Sequence, residues 1–575
     1  KLKKKFYNVL VSFLTEIRAV VLGWQKSDKA SVINSILGVE VESDKLFVKS
    51  VRKDGEVNGR KITLINTPCW WENFDLQDSP EVVKQELVCS VFLCPPGPHV
   101  FLLVVNLSLA FTEENRLAIE EHLSLFGEKI WRHTIVLLTQ ADSVKDEDLQ
   151  LIIQRCGGRY HAFDFKNKSD GVKGLLDKID DVVAANNGKH CETHDDVLLD
   201  IQRKRDGNEK RAKARQETVQ GKRDLLKKIN AVAPLSELRI VLLGWIVSGK
   251  SSTGNTIFNH EIFPIGKTQN CTSHTGDVNG RSVTVLDTPS WWKYFSSKFN
   301  PEFTRAAIVE CIGHSQQMQF PHAMILVIPG DTSFKNEQKR IIEEHMATLG
   351  EDAWRHTIVL FTWGDRFPDI SIEQHIESEG DALQWLIEKC RNRFHTFDNS
   401  NKNNRDQVTE LLQKIDEVVA ENSLFCFNTQ SAAEKNICDT DTQQDEEITL
   451  DADRVMELLQ KEIINRCKGI KSKLKRWGID FTGCMETKSH SSMVADINFS
   501  ADEKLMEKIR REGCRWEVTL MDSLLNIKND EAPDGNMNPC SSDVLRWVQR
   551  CDEYSLFGNG RSYIVSRLED AETKA

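Results

Sequence analysis

The sequence predicts an α/β chain in which two mostly parallel sheets, each covered by helices, precede a helical C-terminal tail. Three observations predict it. Short Val/Ile/Leu runs such as VFLLVV and TIVLL alternate with amphipathic stretches such as EENRLAIEEHLSLFG. Strands apolar on both faces, separated by helical periods, argue for a sheet buried between helices. The stretch from Ile17 to Gly38 returns at a constant shift of 221 residues, with Gly23 on Gly244, Lys29 on Lys250 and Asn34 on Asn255. VNGRKITLINTP is likewise matched by VNGRSVTVLDTP, and LLDKIDDVVAANN by LLQKIDEVVAENS. A repeat of this length is a whole domain, since a solenoid unit has a period of ~20 to 50 residues. Third, the apolar run LRIVLL ends at Gly244 and is followed by Ser248, Gly249, Lys250, Ser251 and Ser252, which fits the phosphate-loop pattern G-x-x-x-x-G-K-S/T.

That pattern needs those residue types for physical reasons. The glycines let backbone N–H groups wrap a phosphate, and the N-terminus of the following helix adds a favourable dipole. Lys250 would reach the β and γ phosphates, and the Ser251 hydroxyl would bind magnesium, an ion that keeps most of its waters. In sheets of this kind the ligand sits at the carboxyl ends of the strands, where the loop would stand.

Composition frames the rest. A chain of 575 residues exceeds one core and suggests about three or four units. It opens on Lys1, which raises the expectation of a fragment lacking an upstream copy. A net charge of -12 gives no argument for nucleic acid binding. Fifteen cysteines are scattered without C-x-x-C pairs, so reduced thiols in a cytoplasmic protein are expected. No apolar run approaches the ~18 residues of a membrane span.

In the second copy the strand RSVTVL runs into Asp287, Thr288 and Pro289. An acid at a strand end after a phosphate loop is the expected partner of the magnesium, usually through water; an Asp before Thr-Pro can also simply start a turn. TIVLF ends in FTWGD, placing Asp365 where a carboxylate could accept paired hydrogen bonds from the N1 and N2 donors of guanine; a surface-turn Asp is the alternative.

Together GWIVSGKSSTGNTIF, the T-x-x-C of Thr268 to Cys271, LDTP, FPHAMILVIPGDTSF, WRHTIVLFTWGD and RFHTFDN resemble the GTP-binding domain of the immunity-associated GTPases, the GIMAP family, and the tandem arrangement resembles its multi-domain members. The resemblance implies two phosphate-loop GTPase domains, GTP or GDP with Mg2+ as cofactors, and oligomers with related GTPase domains. It implies Gly244, Ser248, Gly249, Lys250, Ser251 and Ser252 as the phosphate and magnesium cradle. Thr268 becomes the switch threonine on the metal, with Thr272 as its alternative, Asp287 the magnesium-side acid, Asp365 the base reader and Asn399 a further base contact.

The departures shape the expected activity. Ser290, Trp291 and Trp292 stand where a glycine and a water-orienting glutamine are usual. Asp331, Thr332 and Ser333 occupy the segment in which the resemblance implies a partner-supplied arginine. Since an arginine finger is worth roughly 10³ to 10⁵ in rate, little intrinsic hydrolysis is expected. In the first copy Asp28 replaces the second loop glycine, Ala30 the metal hydroxyl, Asn66 the acid, Cys69 the glycine usual three residues after it, Phe47 the switch threonine and Phe165 the base-contacting asparagine, while Asp142 is kept. That copy reads as a pseudo-GTPase.

The expected organisation is a degenerate domain at 15–190, a basic helical linker at 191–235 interrupted near Gly207 and Gly221, a GTP-binding domain at 236–425, a flexible acidic linker at 426–450 and a helical tail at 451–575 of unassigned role. In the tail, Val455, Leu459, Ile463 and Ile470 share one helical face. The basic helices fit either solvated or packed surfaces, or peripheral contact with a membrane. The functional expectation is a guanine-nucleotide-binding protein whose second domain controls dimerisation or oligomeric assembly. The alternatives are a GTPase activated in trans by dimerisation and a fully degenerate interaction scaffold.

Overall fold

The structure, a computed structural model, describes residues 14–38, 48–108, 111–140, 146–165, 168–192, 195–228, 234–264, 271–299, 311, 321–364, 369–401, 403–422, 452–476 and 503–529. The described chain forms two compact units. The first runs to Thr218 and takes in Gly330–Phe334 and Gly364–Gln384; the second holds the remainder, including the tail helices.

The first sheet contains β1 (Glu16–Leu22), β2 (Val51–Val57), β3 (Arg60–Asn66), β4 (Val100–Asn106), β5 (Thr134–Thr139) and β6 (Tyr160–Ala162), in the order β2-β3-β1-β4-β5-β6. Only β2 runs antiparallel, to β3. Its helices are α1 (Lys29–Leu37), α2 (Glu81–Cys89), α3 (Glu113–Ser124), α4 (Ile130–His133), α5 (Glu147–Arg155) and α6 (Lys168–Ala185). Alternate residues of β1 enter separate apolar clusters: Val20 and Leu22 one, Ile17, Ala19 and Val21 the other. Burial on both faces is why Ala19–Leu22 of β1 read as an unbroken apolar run.

The helix α7 (Asp195–Lys228) follows. The second sheet repeats the plan with β7 (Glu237–Leu243), β8 (Thr272–Val278), β9 (Arg281–Asp287), β10 (Ala323–Pro329), β11 (Thr357–Thr362) and β12 (Phe394–Thr396), ordered β12-β11-β10-β7-β9-β8. Its chain segment carries α8 (Lys250–Phe258), α9 (Asn336–Ala347), α10 (Ile372–Glu379), α11 (Asp381–Lys389) and α12 (Asp406–Glu421); the tail adds α13 (Ala452–Arg476) and α14 (Glu503–Asn529).

The repeated VNGR is a hairpin device. Asn58-Gly59 and Asn279-Gly280 all have positive φ between β2 and β3 and between β8 and β9, the geometry Asn-Gly adopts in tight two-residue turns. The arginine that follows clamps the hairpin to the copy's last helix. Arg60 donates to both carboxylate oxygens of Asp180 at 2.9 and 2.6 Å, and Arg281 to those of Asp416 at 3.0 and 2.6 Å.

Two expectations are corrected. The basic linker is one continuous helix through Gly207 and Gly221, because a glycine weakens a helix by only ~1 kcal/mol and this helix is held from the side. Arg205 pairs with Glu86 at 2.7 Å, Arg223 with Glu417 at 2.9 Å, and Lys222 with Glu421. The cysteines are not all thiols: Cys271 and Cys311 form a disulfide with a Cα–Cα separation of 6.3 Å. Residues 40 apart in sequence carry no local sign of such a pairing.

His122 in α3 is fully buried, stacks on Trp70 at 4.6 Å, and meets Ala118 O and Ser79 Oγ at 2.7 and 2.8 Å. Burial pushes its pKa from 6.5 down to about 4. The unfolded chain therefore binds the extra proton between those values. The stability this neutral ring lends is present above the unfolded value and lost as pH falls through the folded one, ~3 kcal/mol in all. Buried His99, His322 and His395 are pushed down to about 4 as well, so stability to denaturant is expected to fall between pH 7 and 4 with His122 contributing one share of that amount, and His122→Phe is expected to make the slope in that window shallower by that share.

Candidate functional site

The second sheet changes its winding direction at β7, which lies between β9 and β10. Ligands sit outside the carboxyl end of the strand at such a switch point. From that end the chain turns through Gly244 to Gly249 into α8. Gly249 has φ +87, and a Cβ there would stand 2.9 Å from Thr362 Cγ2. Gly244 has φ +154, and a Cβ would meet Val327 O at 2.6 Å. No other residue type fits either place without a shift. Thr362 Oγ1 donates to Ser248 O at 2.8 Å and fixes the loop on the end of β11.

Lys250 opens α8 and is 3% exposed; Asp287 ends β9 and is 1% exposed. Lys250 Nζ donates to Asp287 Oδ1 at 2.6 Å and also to Thr288 O. Ser251 Oγ donates to Asp287 Oδ2 at 2.6 Å. One buried carboxylate thus holds both the cation and the hydroxyl that the loop pattern requires. Ser248, Gly249, Lys250, Ser251, Ser252 and Asn399 line one cavity of about 90 Å³, and Asn399 is anchored by Thr256, whose Oγ1 donates to its Oδ1 at 2.7 Å.

Of the residues expected at the site, Gly244, Ser248, Gly249, Lys250, Ser251, Ser252, Asp287 and Asn399 are therefore brought together. Thr268 and Asp365 lie outside the described residues. Thr272, the alternative to Thr268, stands opposite Asp287 in the β8–β9 ladder. Ser290, read from sequence only as a departure, also lines the cavity, as do Trp363 and, from the tail, Thr519 and Leu520. Nothing local in the sequence of α14 points to the loop.

Trp291, one of the two tryptophans expected in place of a water-orienting glutamine, is held in the core. Its carbonyl accepts from Ile246 N at 2.7 Å, and its ring stacks on His345 at 4.6 Å and 17°. It is a core side chain, 1% exposed. Trp291→Ala is expected to cost ~3–5 kcal/mol of stability, measured by denaturant unfolding.

The first copy keeps the backbone plan and changes the chemistry. Gln25 N donates to Trp70 O at 2.8 Å, as Ile246 does to Trp291. Lys29 Nζ meets Thr67 O at 2.5 Å and Pro68 O at 3.3 Å instead of a carboxylate. Burial lowers its pKa, opposed in part by Cys69. Asn66, in the place of the acid, has a buried Oδ1 with no hydrogen-bond partner among the described residues. Asp28 adopts φ +66, and its Oδ2 accepts from Asn106 Nδ2 and Thr139 Oγ1, each at 2.9 Å. The loop of the first copy is thus fastened by its own carboxylate. Phe165 packs on Phe163 at 5.4 Å between ring centroids, and Phe47 and Asp142 lie outside the described residues.

The AIG1 family matches residues 17–214 and 238–447. GTPase IMAP family member 8 of Homo sapiens is 27% identical over 443 residues, covering 71% of this chain and 63% of that protein. The Mus musculus member 8 is 24% identical, and the chain spans 54% of its length. Immune-associated nucleotide-binding protein 8 of Arabidopsis thaliana is 30% identical over 196 residues, which is 32% of this chain and 54% of that protein. Among solved structures, Toc33 from Arabidopsis thaliana in complex with GDP and Mg2+ is similar at 17% identity and a TM-score of 0.29, over 38% of this chain and 96% of that one.

Proposed function

The chain belongs to the AIG1 family, and from that premise we propose that its second domain binds guanine nucleotide with magnesium and that its first is a pseudo-GTPase retained as a scaffold. The observation that carries this is the buried Asp287 joined to both Lys250 and Ser251 beneath the loop. In the first copy the same positions are Asn66, Lys29 and Ala30. The proposed domains are 15–190 and 236–425, joined by 191–235, with 426–450 linking to the tail at 451–575.

The residues present fit a magnesium ion. Ser251 Oγ and Asp287 Oδ2 are hard oxygen donors side by side, which suits an ion that takes few protein ligands and keeps several waters. Ser251 would bind it directly and Asp287 through water, with Thr268 joining in the triphosphate state; the ion would neutralise charge between the phosphates. Lys250 would exchange its contact with Asp287 for the β and γ phosphates, Asp365 would read guanine, and Asn399 would touch the base from the loop after β12.

Binding of the triphosphate orders a switch segment in proteins of this class, and here that order would bias a surface used in dimers or oligomers with related domains. Hydrolysis would be slow, since Trp291 is a core residue and no arginine stands at 331–333. Membrane contact through α7 is not part of this reading, because Arg205, Lys222 and Arg223 are engaged with glutamates. Among the described residues no helix is long and apolar enough to cross a membrane.

The test is sedimentation of the full chain with GDP or a non-hydrolysable GTP analogue, beside GTP turnover at rising protein concentration. A shift to larger species with the analogue alone, and slow turnover throughout, is expected. Turnover that climbs steeply with concentration would replace this reading with catalysis in trans.

A further inference from the structure

The first unit is completed by two segments of the second copy's chain, Gly330–Phe334 and Gly364–Gln384. Gly330 directly follows β10, and Gly364 follows β11 after Trp363. Inside this unit one carboxylate joins three parts of the chain. Glu379, the last residue of α10, accepts from Glu81 N at the start of α2 at 2.6 Å and from Phe334 N at 3.1 Å. Glu377 accepts from Arg211 and Arg215 of α7 at 2.9 and 2.8 Å. Ser333 N donates to Asp78 O at 2.9 Å, and Asp369 accepts from Val48 N at 3.3 Å. Glu377 and Glu379 are only 3% and 4% exposed. Carboxylates this buried persist only with cations or N–H donors in place, so the contacts are a built part of the unit.

The element that carries them is peculiar to the second copy. Among the described residues α5 alone lies between β5 and β6, whereas α10 and α11 lie between β11 and β12. LQLIIQR of α5 matches LQWLIEK of α11, which leaves α10 without a counterpart. The two strands that lead into the shared segments also hold the phosphate loop: Val327 O of β10 closes on Gly244, and Thr362 of β11 fastens Ser248. Asp365, for which guanine reading is proposed above, directly follows Gly364 in the sequence. We propose that the first copy is an internal positioning partner of the second: through the carboxylates of α10 it fixes the segments that leave β10 and β11, and so sets the guanine side of the site. The inference rests on the second domain being the guanine-nucleotide site. Segments held before the ligand arrives spare it the cost of ordering them, and the loops at the carboxyl ends of such strands are the ones that meet the ligand. The degenerate copy thereby contributes to affinity without holding a nucleotide.

The test uses the whole 575-residue chain and two variants that leave the phosphate loop intact. Glu379→Ala removes the carboxylate between Glu81 and Phe334; Arg211→Ala with Arg215→Ala removes the cations that face Glu377. Loosening is read by hydrogen exchange of the Ser333 amide, whose bond to Asp78 O neither variant touches. Binding is read by calorimetric titration of GDP, ADP and pyrophosphate, each with magnesium. Both variants are expected to exchange Ser333 at least ~10-fold faster and to bind GDP at least ~10-fold more weakly, a change of about 1.4 kcal/mol, with pyrophosphate altered less than about twofold. The preference for GDP over ADP is expected to narrow by the same factor as the loss of GDP affinity. Unchanged exchange would overturn the brace itself. Faster exchange with GDP affinity kept would overturn the positioning role. GDP and pyrophosphate weakened alike would mean general damage to the domain and would overturn it as well. If the parent chain bound GDP no better than ADP, the guanine reading would fail first, and this inference with it.

Discussion

Replacing Lys250 with methionine is expected to lower guanine-nucleotide affinity by ~2–5 kcal/mol, roughly 30-fold to several thousand-fold, as happens when one member of a buried charged contact is removed. The same change also leaves Asp287 buried at the end of β9 without its cation, a state that typically costs ~3–5 kcal/mol of stability. Affinity and stability can be separated. In Lys250→Met with Asp287→Asn, the stranded charge is gone and denaturant stability is expected to recover, while binding stays lost. Lys29→Met in the first copy should leave affinity within about twofold, because that lysine faces carbonyls and no acid. If Lys250→Met kept its affinity, the loop would not be the phosphate site.

Gly249→Asp is expected to abolish binding by installing in the second copy what the first copy already has. The position requires φ +87 and has Thr362 Cγ2 only 2.9 Å from a Cβ. A non-glycine residue held in that conformation costs ~1–3 kcal/mol, and a carboxylate ~4 Å from a phosphate adds about 4 kcal/mol of repulsion at an effective dielectric of ~20. The reverse change, Asp28→Gly, is expected to create no second site, since Ala30 and Asn66 still lack the hydroxyl and the acid. Nucleotide titration of both variants checks the pair. Binding restored by Asp28→Gly alone would mean that the first copy is blocked by one residue and is not a scaffold.

Much of this architecture is legible in the residues. Apolar runs such as IVLL become strand segments buried on both faces, and Lys250, Ser251 and Asp287 meet because a phosphate loop and a strand-end acid on the neighbouring strand converge at the carboxyl ends of the strands. The face formed by Val455, Leu459, Ile463 and Ile470 is equally plain, and all four are buried. What the pattern withholds is the identity of the surface that covers such a face. Periodicity reports that Trp516 and Leu520 need burial; it does not report that Ile246 and Trp292, more than 200 residues earlier, provide it. The continuity of α7 was hidden for a related reason. Gly207 and Gly221 argue locally for interruption, and the ion pairs that hold the helix come from Glu86, Glu417 and Glu421 elsewhere in the chain. The disulfide of Cys271 and Cys311 depends on a meeting in space that no spacing rule encodes. The residues alone mark Trp291 and Trp292 as departures, and only the stacking of Trp291 on His345 shows that its position belongs to the core.

The central claim is one working guanine site and one degenerate copy in the same chain. Calorimetric titration of GTP, GDP and ATP, each with magnesium, into this 575-residue chain tests it most directly. One guanine nucleotide bound per chain, with ATP at least ~100-fold weaker, a difference of about 2.8 kcal/mol, is the expected result. Two sites per chain, or ATP binding as tightly as GTP, would contradict it.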